Sequence, residues 1–234
     1  MIYLRRASER GHANHGWLDS WHTFSFANYY DADFMGFSAL RVINEDVIDA
    51  GQGFGMHPHK DMEILTYVLS GAVEHQDSMG NQGQVPAGEF QIMSAGTGIR
   101  HSEYNPHHDR PLHLYQIWIM PDKTGLTPRY EQRRFETVAG RQLILSPDAR
   151  AGSLHVFQDM TLWRWLFKNN KNSQNGEYHP EKNRKIWIQV IHGEVMVNGI
   201  QATTSDGVAI WDESLLQITA NQESEILLFD LPSH

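Results

Sequence analysis

Glycine-containing turn signals cut this chain into short segments from end to end, and that punctuation excludes most folds. Ser70-Gly71, Met79-Gly80-Asn81, Ala87-Gly88, His192-Gly193, Asn198-Gly199 and Asp206-Gly207 separate apolar runs. Among those runs are Ser38 to Ile43, Glu63 to Leu69, Leu112 to Met120, Lys185 to Ile191 and Glu225 to Leu231. They are rich in β-branched, leucine and aromatic side chains, which suit a pleated, half-buried surface. Asn198-Gly199, between Val195-Met196-Val197 and Ile200, is a two-residue hairpin signal because both positions tolerate positive φ. No long stretch carries the apolar period of an amphipathic helix. The chain therefore reads as all-β with few short helices.

The pattern occurs twice. Leu65-Thr66-Tyr67-Val68-Leu69-Ser70-Gly71-Ala72-Val73 resembles Ile188-Gln189-Val190-Ile191-His192-Gly193-Glu194-Val195. After each copy come a hairpin, a turn at Ala87-Gly88-Glu89 or Asp206-Gly207-Val208, and a closing apolar strand, Leu114 to Ile119 or Ile226 to Leu231. Two related antiparallel β-barrels of the jelly-roll type are expected in tandem, over residues 1–135 and 136–234. The polar stretch Pro121 to Gln142, with Gly125, Pro128 and Gly140, reads as the bridge.

Two short patches in the first half carry metal-capable side chains at positions i and i+2: His57-Pro58-His59 and His101-Ser102-Glu103. On a strand such positions share a face, so two neighbouring strands would aim four ligands at one interior point. Three imidazoles and a carboxylate suit one divalent transition metal: Fe, Zn, Cu, Ni, Mn or Co. A lone His-x-His is weak evidence, since short motifs match by chance. The glycines at 51, 53, 55, 96 and 98, which let backbone approach closely, add weight to the pair. Pro58 cannot donate to a ladder, which puts its segment at a strand start or a rim.

Glu63, four residues after His59, is a rival carboxylate whose alternative is a salt-bridged or rim position. His113 and Gln116 lie on a strand that would cross the pocket, as partners of a ligand or as core. His12, His15 and His22 read as surface or structural histidines. The aromatic group Phe24, Phe26, Tyr29, Tyr30, Phe34 and Phe37 suits core or interface, and also the walls of a site for a flat aromatic substrate. The second half has no histidine from Gly193 to Ser233, so the metal chemistry is assigned to the first.

Composition limits the alternatives. With no cysteine, disulfides, thiolate ligands and a thiol nucleophile are all excluded. The net charge of −9 argues against direct nucleic-acid binding, which needs clustered Lys and Arg. No apolar run reaches membrane-spanning length and the N-terminus lacks a signal-peptide pattern, so a soluble cytoplasmic protein is expected.

The spacing Gly51-(five residues)-His57-Pro58-His59-(three residues)-Glu63 resembles the first cupin motif. Gly88-(five residues)-Ser94-Ala95-Gly96-(four residues)-His101-(three residues)-Asn105 resembles the second, with Ser94 where proline is usual and a longer gap before the histidine. His22-Thr23-Phe24-Ser25-Phe26, Leu40-Arg41-Val42-Ile43-Asn44, His57 to Glu63, Gly98 to Glu103 and Leu114-Tyr115-Gln116-Ile117-Trp118 together resemble a bacterial pirin. The resemblance covers nearly the whole chain and implies a bicupin with one metal in the N-terminal barrel. The ligands it implies are His57, His59, His101 and Glu103, not Glu63. Bacterial pirins of this type resemble quercetin 2,3-dioxygenases, which open the central ring of flavonols with O2 and release carbon monoxide. Glu103 would then be both anionic ligand and catalytic base. The alternative is a non-enzymatic metal or redox sensor acting on a protein partner, since related nuclear proteins are associated with transcriptional co-regulation.

Overall fold

Leu40–Ile48 shows how these strands form. Its buried Leu40, Val42, Asn44, Asp46 and Ile48 alternate with positions that are mostly half-buried, the period of a strand with one face inward. The computed structural model describes residues 1–168 and 174–233. Among these, helix is limited to the three-residue turns Ala7–Glu9 and Arg150–Gly152. The all-β expectation therefore holds. At the predicted hairpin, Val197 pairs with Ile200, and Asn198 and Gly199 take φ values of 45° and 83°.

The chain forms two compact units, each with a seven-stranded and a four-stranded sheet. The first unit comprises Gly11–Phe135 and Val156–Gln158. Its larger sheet runs in the order Arg129–Arg134, Glu89–Ser94, Glu63–Ser70, Leu112–Ile119, Leu40–Ile48, Leu18–His22, Gly11–Asn14. Its smaller sheet runs Gly53–His59, Ile99–Tyr104, Ala72–Asp77, Gln82–Pro86. Val73 and Val85 of the smaller sheet share one apolar cluster with Leu18, Ile48, Val68, Leu112 and Leu114 of the larger. The two sheets thus face each other across a core.

The second unit repeats the plan. Its larger sheet runs Ile2–Arg5, Gly207–Trp211, Lys185–His192, Ser224–Leu231, Thr161–Phe167, Gly140–Ser146, Leu154–His155. Its smaller sheet runs Gln174–Tyr178, Leu216–Ala220, Glu194–Val197, Ile200–Thr203. Val195, Val197, Ala202 and Ile218 meet Ile188, Ile210, Ile226 and Leu228 in its core.

The expected barrels differ from the structure in one respect: the sheets are open. Each sheet has two ends, and curvature is met by facing sheets rather than by the strand stagger that closure demands. The expected segment boundaries also differ from the observed units. Residues 1–10 group with the second unit, because Ile2–Arg5 pairs with Gly207–Trp211 and the Ala7 amide donates to Asp206 Oδ1 at 2.7 Å. Val156–Gln158 groups with the first, where Phe157 O accepts from the Asp122 amide at 2.8 Å. The expected bridge carries a strand of its own, Arg129–Arg134, paired with Glu89–Ser94.

Candidate metal centre

Gly53–His59 and Ile99–Tyr104 pair antiparallel, with His57 opposite His101 and His59 opposite Ile99. Residues paired across a ladder share a face, so the i, i+2 histidines of one strand meet the histidine of the other. The ring centroids of His57, His59 and His101 are 4.5–4.9 Å apart. One ligand-capable atom from each lies within 4.8 Å of the other two. Gly53 permits this approach, since a Cβ there would meet Glu103 O at 2.3 Å. Gly53–His59 is the end strand of its sheet, where Pro58 costs no ladder bond.

Hydrogen bonding and burial set the state of these rings. His57 Nδ1 donates to Gly55 O at 2.7 Å, which leaves the lone pair on Nε2. Burial, with His101 and His57 beside it, pushes His59 down to about 4. Burial, with His57 and His75 beside it, pushes His101 down to about 3. Nδ1 of His101 is buried without a hydrogen-bond partner.

A bulge between His101 and Glu103 sets Glu103 opposite Phe54. Its buried carboxylate is held by two carboxamides. Gln91 Nε2 donates to Oε1 at 2.7 Å and Gln116 Nε2 donates to Oε2 at 2.8 Å. Glu103 belongs to a second group of ligand-capable atoms, with His75 and His101. Glu63 lies apart from both groups: its Oε2 accepts from Ser94 Oγ at 2.9 Å and the Phe157 amide at 3.3 Å. His113 is also elsewhere, with Nε2 3.0 Å from Glu45 Oε1.

The three histidines and Glu103 line a cavity of about 710 Å³. Trp17, Leu18, Phe26, Tyr29, Phe54, Ile64 and Trp118 supply its apolar wall. Trp118 stands edge-on to both His59 and Phe26, at 5.0 and 5.5 Å. A polar strip, Ser20, His22, Asn44 and Asp46, comes from Leu18–His22 and Leu40–Ile48. His22 Nδ1 lies 2.9 Å from Asn44 Oδ1, and Ser20 Oγ donates to Asp46. Burial raises Asp46 to about 7, against the opposing effect of the Ser20 hydrogen bond.

The sequence reading missed this strip, and with it the placement of His12, His15 and His22 on the cavity wall. Ser20 and His22 are i, i+2, as are Asn44 and Asp46, so a period-two polar signal was present. His75-x-Asp77 is a third pair of the same kind and was equally overlooked.

Two facing-sheet β units, one with clustered imidazoles opening onto a large cavity, define a bicupin with a candidate metal centre. Residues 3–119 match the family model described as Pirin, and residues 143–231 match the quercetinase C-terminal cupin domain. The chain belongs to the pirin family. It is 71% identical over 232 residues to the quercetin 2,3-dioxygenase of Escherichia coli K12, covering 99% of each chain. It is 41% identical over 238 residues to a pirin-like protein of Caulobacter vibrioides, covering 98% of this chain and 99% of that one. The crystal structure of the bacterial pirin YhhW from Escherichia coli in complex with nickel(II) is 70% identical. It superposes with a TM-score of 0.97 over 100% of both chains. The cluster here fits a single divalent metal ion: its donors are borderline nitrogens and a carboxylate, and the buried Nδ1 of His101 has no other partner. No helix among the described residues is long and apolar enough to cross a membrane.

Proposed function

We propose that the chain is a metal-dependent oxidoreductase that cleaves flavonols such as quercetin with O2 at the 2,3 positions and releases carbon monoxide. The observation that carries this reading is the convergence of three imidazoles on an aromatic-walled cavity of about 710 Å³. His57, His59 and His101 would hold the metal, with Glu103 as the anionic ligand. The bound divalent ion supplies Lewis-acid polarisation that lowers the pKa of a hydroxyl it contacts. The Escherichia coli relative was crystallised in complex with nickel(II); the donor set here accepts Fe, Zn, Cu, Ni, Mn or Co.

The chain's own residues do the rest. Trp17, Phe26, Phe54 and Trp118 sandwich a flat ring system and exclude water. Ser20, His22, Asn44 and Asp46 offer hydrogen bonds to phenolic hydroxyls. Glu103, oriented by Gln91 and Gln116, takes the proton of the flavonol 3-hydroxyl on a carboxylate oxygen.

Anaerobic purification, elemental analysis, and assays of O2 uptake and carbon monoxide release with quercetin test the proposal. Metal-loaded protein should turn over saturably and stripped protein should not. His57→Ala and His101→Ala should each lose tight metal binding and turnover. A variant that kept stoichiometric metal and full turnover would show that the assignment is wrong. Silence with every flavonol and metal would favour a sensor that acts on a protein partner.

A further inference from the structure

Ala72–Asp77 flanks Ile99–Tyr104 on the side opposite Gly53–His59. The register sets His75 opposite Glu103 and Asp77 opposite His101. His75 and Asp77 therefore share the face that carries the proposed ligands. His75 is wholly buried, at 0% exposure. Asp77 Oδ2 lies 3.2 Å from His75 Nε2. Asp77 is itself fixed by donors from Asn81 Nδ2 at 2.8 Å and from the Met79 and Asn81 amides at 2.9 and 3.0 Å. A carboxylate so placed takes the Nε2–H of His75 and leaves the lone pair on Nδ1, as carboxylates do behind metal-binding imidazoles.

That Nδ1 is buried and has no hydrogen-bond partner. A buried acceptor left unmet is costly to the fold, so its persistence calls for a ligand. One ligand-capable atom from each of His75, His101 and Glu103 lies within 4.8 Å of the other two, and the two imidazole centroids are 5.4 Å apart. Tyr130 stacks on His75 at 4.4 Å and holds the ring plane.

We propose that His75, His101 and Glu103 form a second, inner position for a divalent cation. It shares His101 and Glu103 with the outer set of His57, His59, His101 and Glu103, so one ion occupies one position or the other. Asp77 is a positioning residue that presents His75 Nδ1. The inference rests on the metal-centre reading and extends it: nothing in the reaction proposed above uses His75.

The test is Co(II) binding to metal-stripped full-length protein, read by equilibrium dialysis and by the visible d–d spectrum. Folding is checked by circular dichroism. His57→Ala with His59→Ala should still bind one Co(II) per chain, more weakly than wild type and with an altered spectrum. Adding His75→Ala should weaken this residual binding by at least about tenfold. Adding Asp77→Asn in its place keeps the ring and the acceptor oxygen, and should weaken binding by about tenfold as well. This variant decides the matter if His75→Ala fails to fold. The inner position is refuted if the folded double variant binds no Co(II), or binds it equally with and without the changes at 75 and 77. A wild-type chain that binds no Co(II) would instead sink the metal centre as a whole.

Discussion

Asp46 shows how a single side chain in the cavity leaves a mark on stability. Its carboxyl is raised by burial from 3.8 to about 7, so the folded chain keeps a proton that the unfolded chain releases. Its contribution is fully present below pH 3.8 and is lost as pH rises to about 7. His59 and His101 act with the opposite sign: their lowered values favour the fold above 6.5, and that benefit is lost as pH falls toward about 4 and about 3. Comparing wild type with Asp46→Asn cancels the histidine terms, because both proteins share them. The melting temperature of the metal-free variant should gain on wild type as pH rises between 3.8 and about 7. A constant offset across that window would show that Asp46 is not held protonated by the fold. The residue also marks a limit of sequence reading. His57, His59 and His101 were legible because ligand types repeat with period two beside glycines. Asp46 repeats with Asn44 at period two but lacks the flanking glycines, and its place on the cavity depends on which face of Leu40–Ile48 the opposite sheet leaves uncovered.

Among the elements, Gly53–His59 is tightly constrained by its neighbour. It is an edge strand with a single neighbour, and it carries two of the three clustered imidazoles. A Cβ on Gly53 would stand 2.3 Å from Glu103 O and 2.5 Å from Tyr104 Cα. These are backbone atoms and cannot rotate aside, so the strand must shift. Gly53→Ala should cost about 1–3 kcal/mol and weaken metal binding together with stability. Gly83 is the control: its nearest non-neighbouring atom would be Gln132 Oε1 at 3.9 Å, so Gly83→Ala should leave metal binding intact. Urea unfolding and Co(II) titration of both variants check this, and equal behaviour would show that close strand approach is not what builds the site. The period-two patterns and the Asn198-Gly199 hairpin gave the strands and the ligand face in advance. They could not give the bulge after His101, which is a property of pairing and not of either strand alone.

For the whole molecule, the internal repeat was legible, because turn chemistry and apolar strands recur in both halves. The membership of Ile2–Arg5 was not, because pairing with Gly207–Trp211 is a contact between distant segments with no local signal. Deleting residues 1–6 removes that ladder and uncovers the Gly207–Trp211 edge. Calorimetry of the truncated chain should show the second unit melting earlier, with Co(II) stoichiometry at the first unit unchanged. An unaltered calorimetric trace would show that the strand adds nothing to its sheet. The same ladder sets an order of events during synthesis. The Ala7 amide meets Asp206, 199 positions further along the chain. Ile2–Arg5 must therefore wait, unpaired, until Gly207–Trp211 has been made. The first unit has every strand of its sheets by Arg134 and can fold while the second is being made, whereas the second can complete its larger sheet only once Ser224–Leu231 has been made.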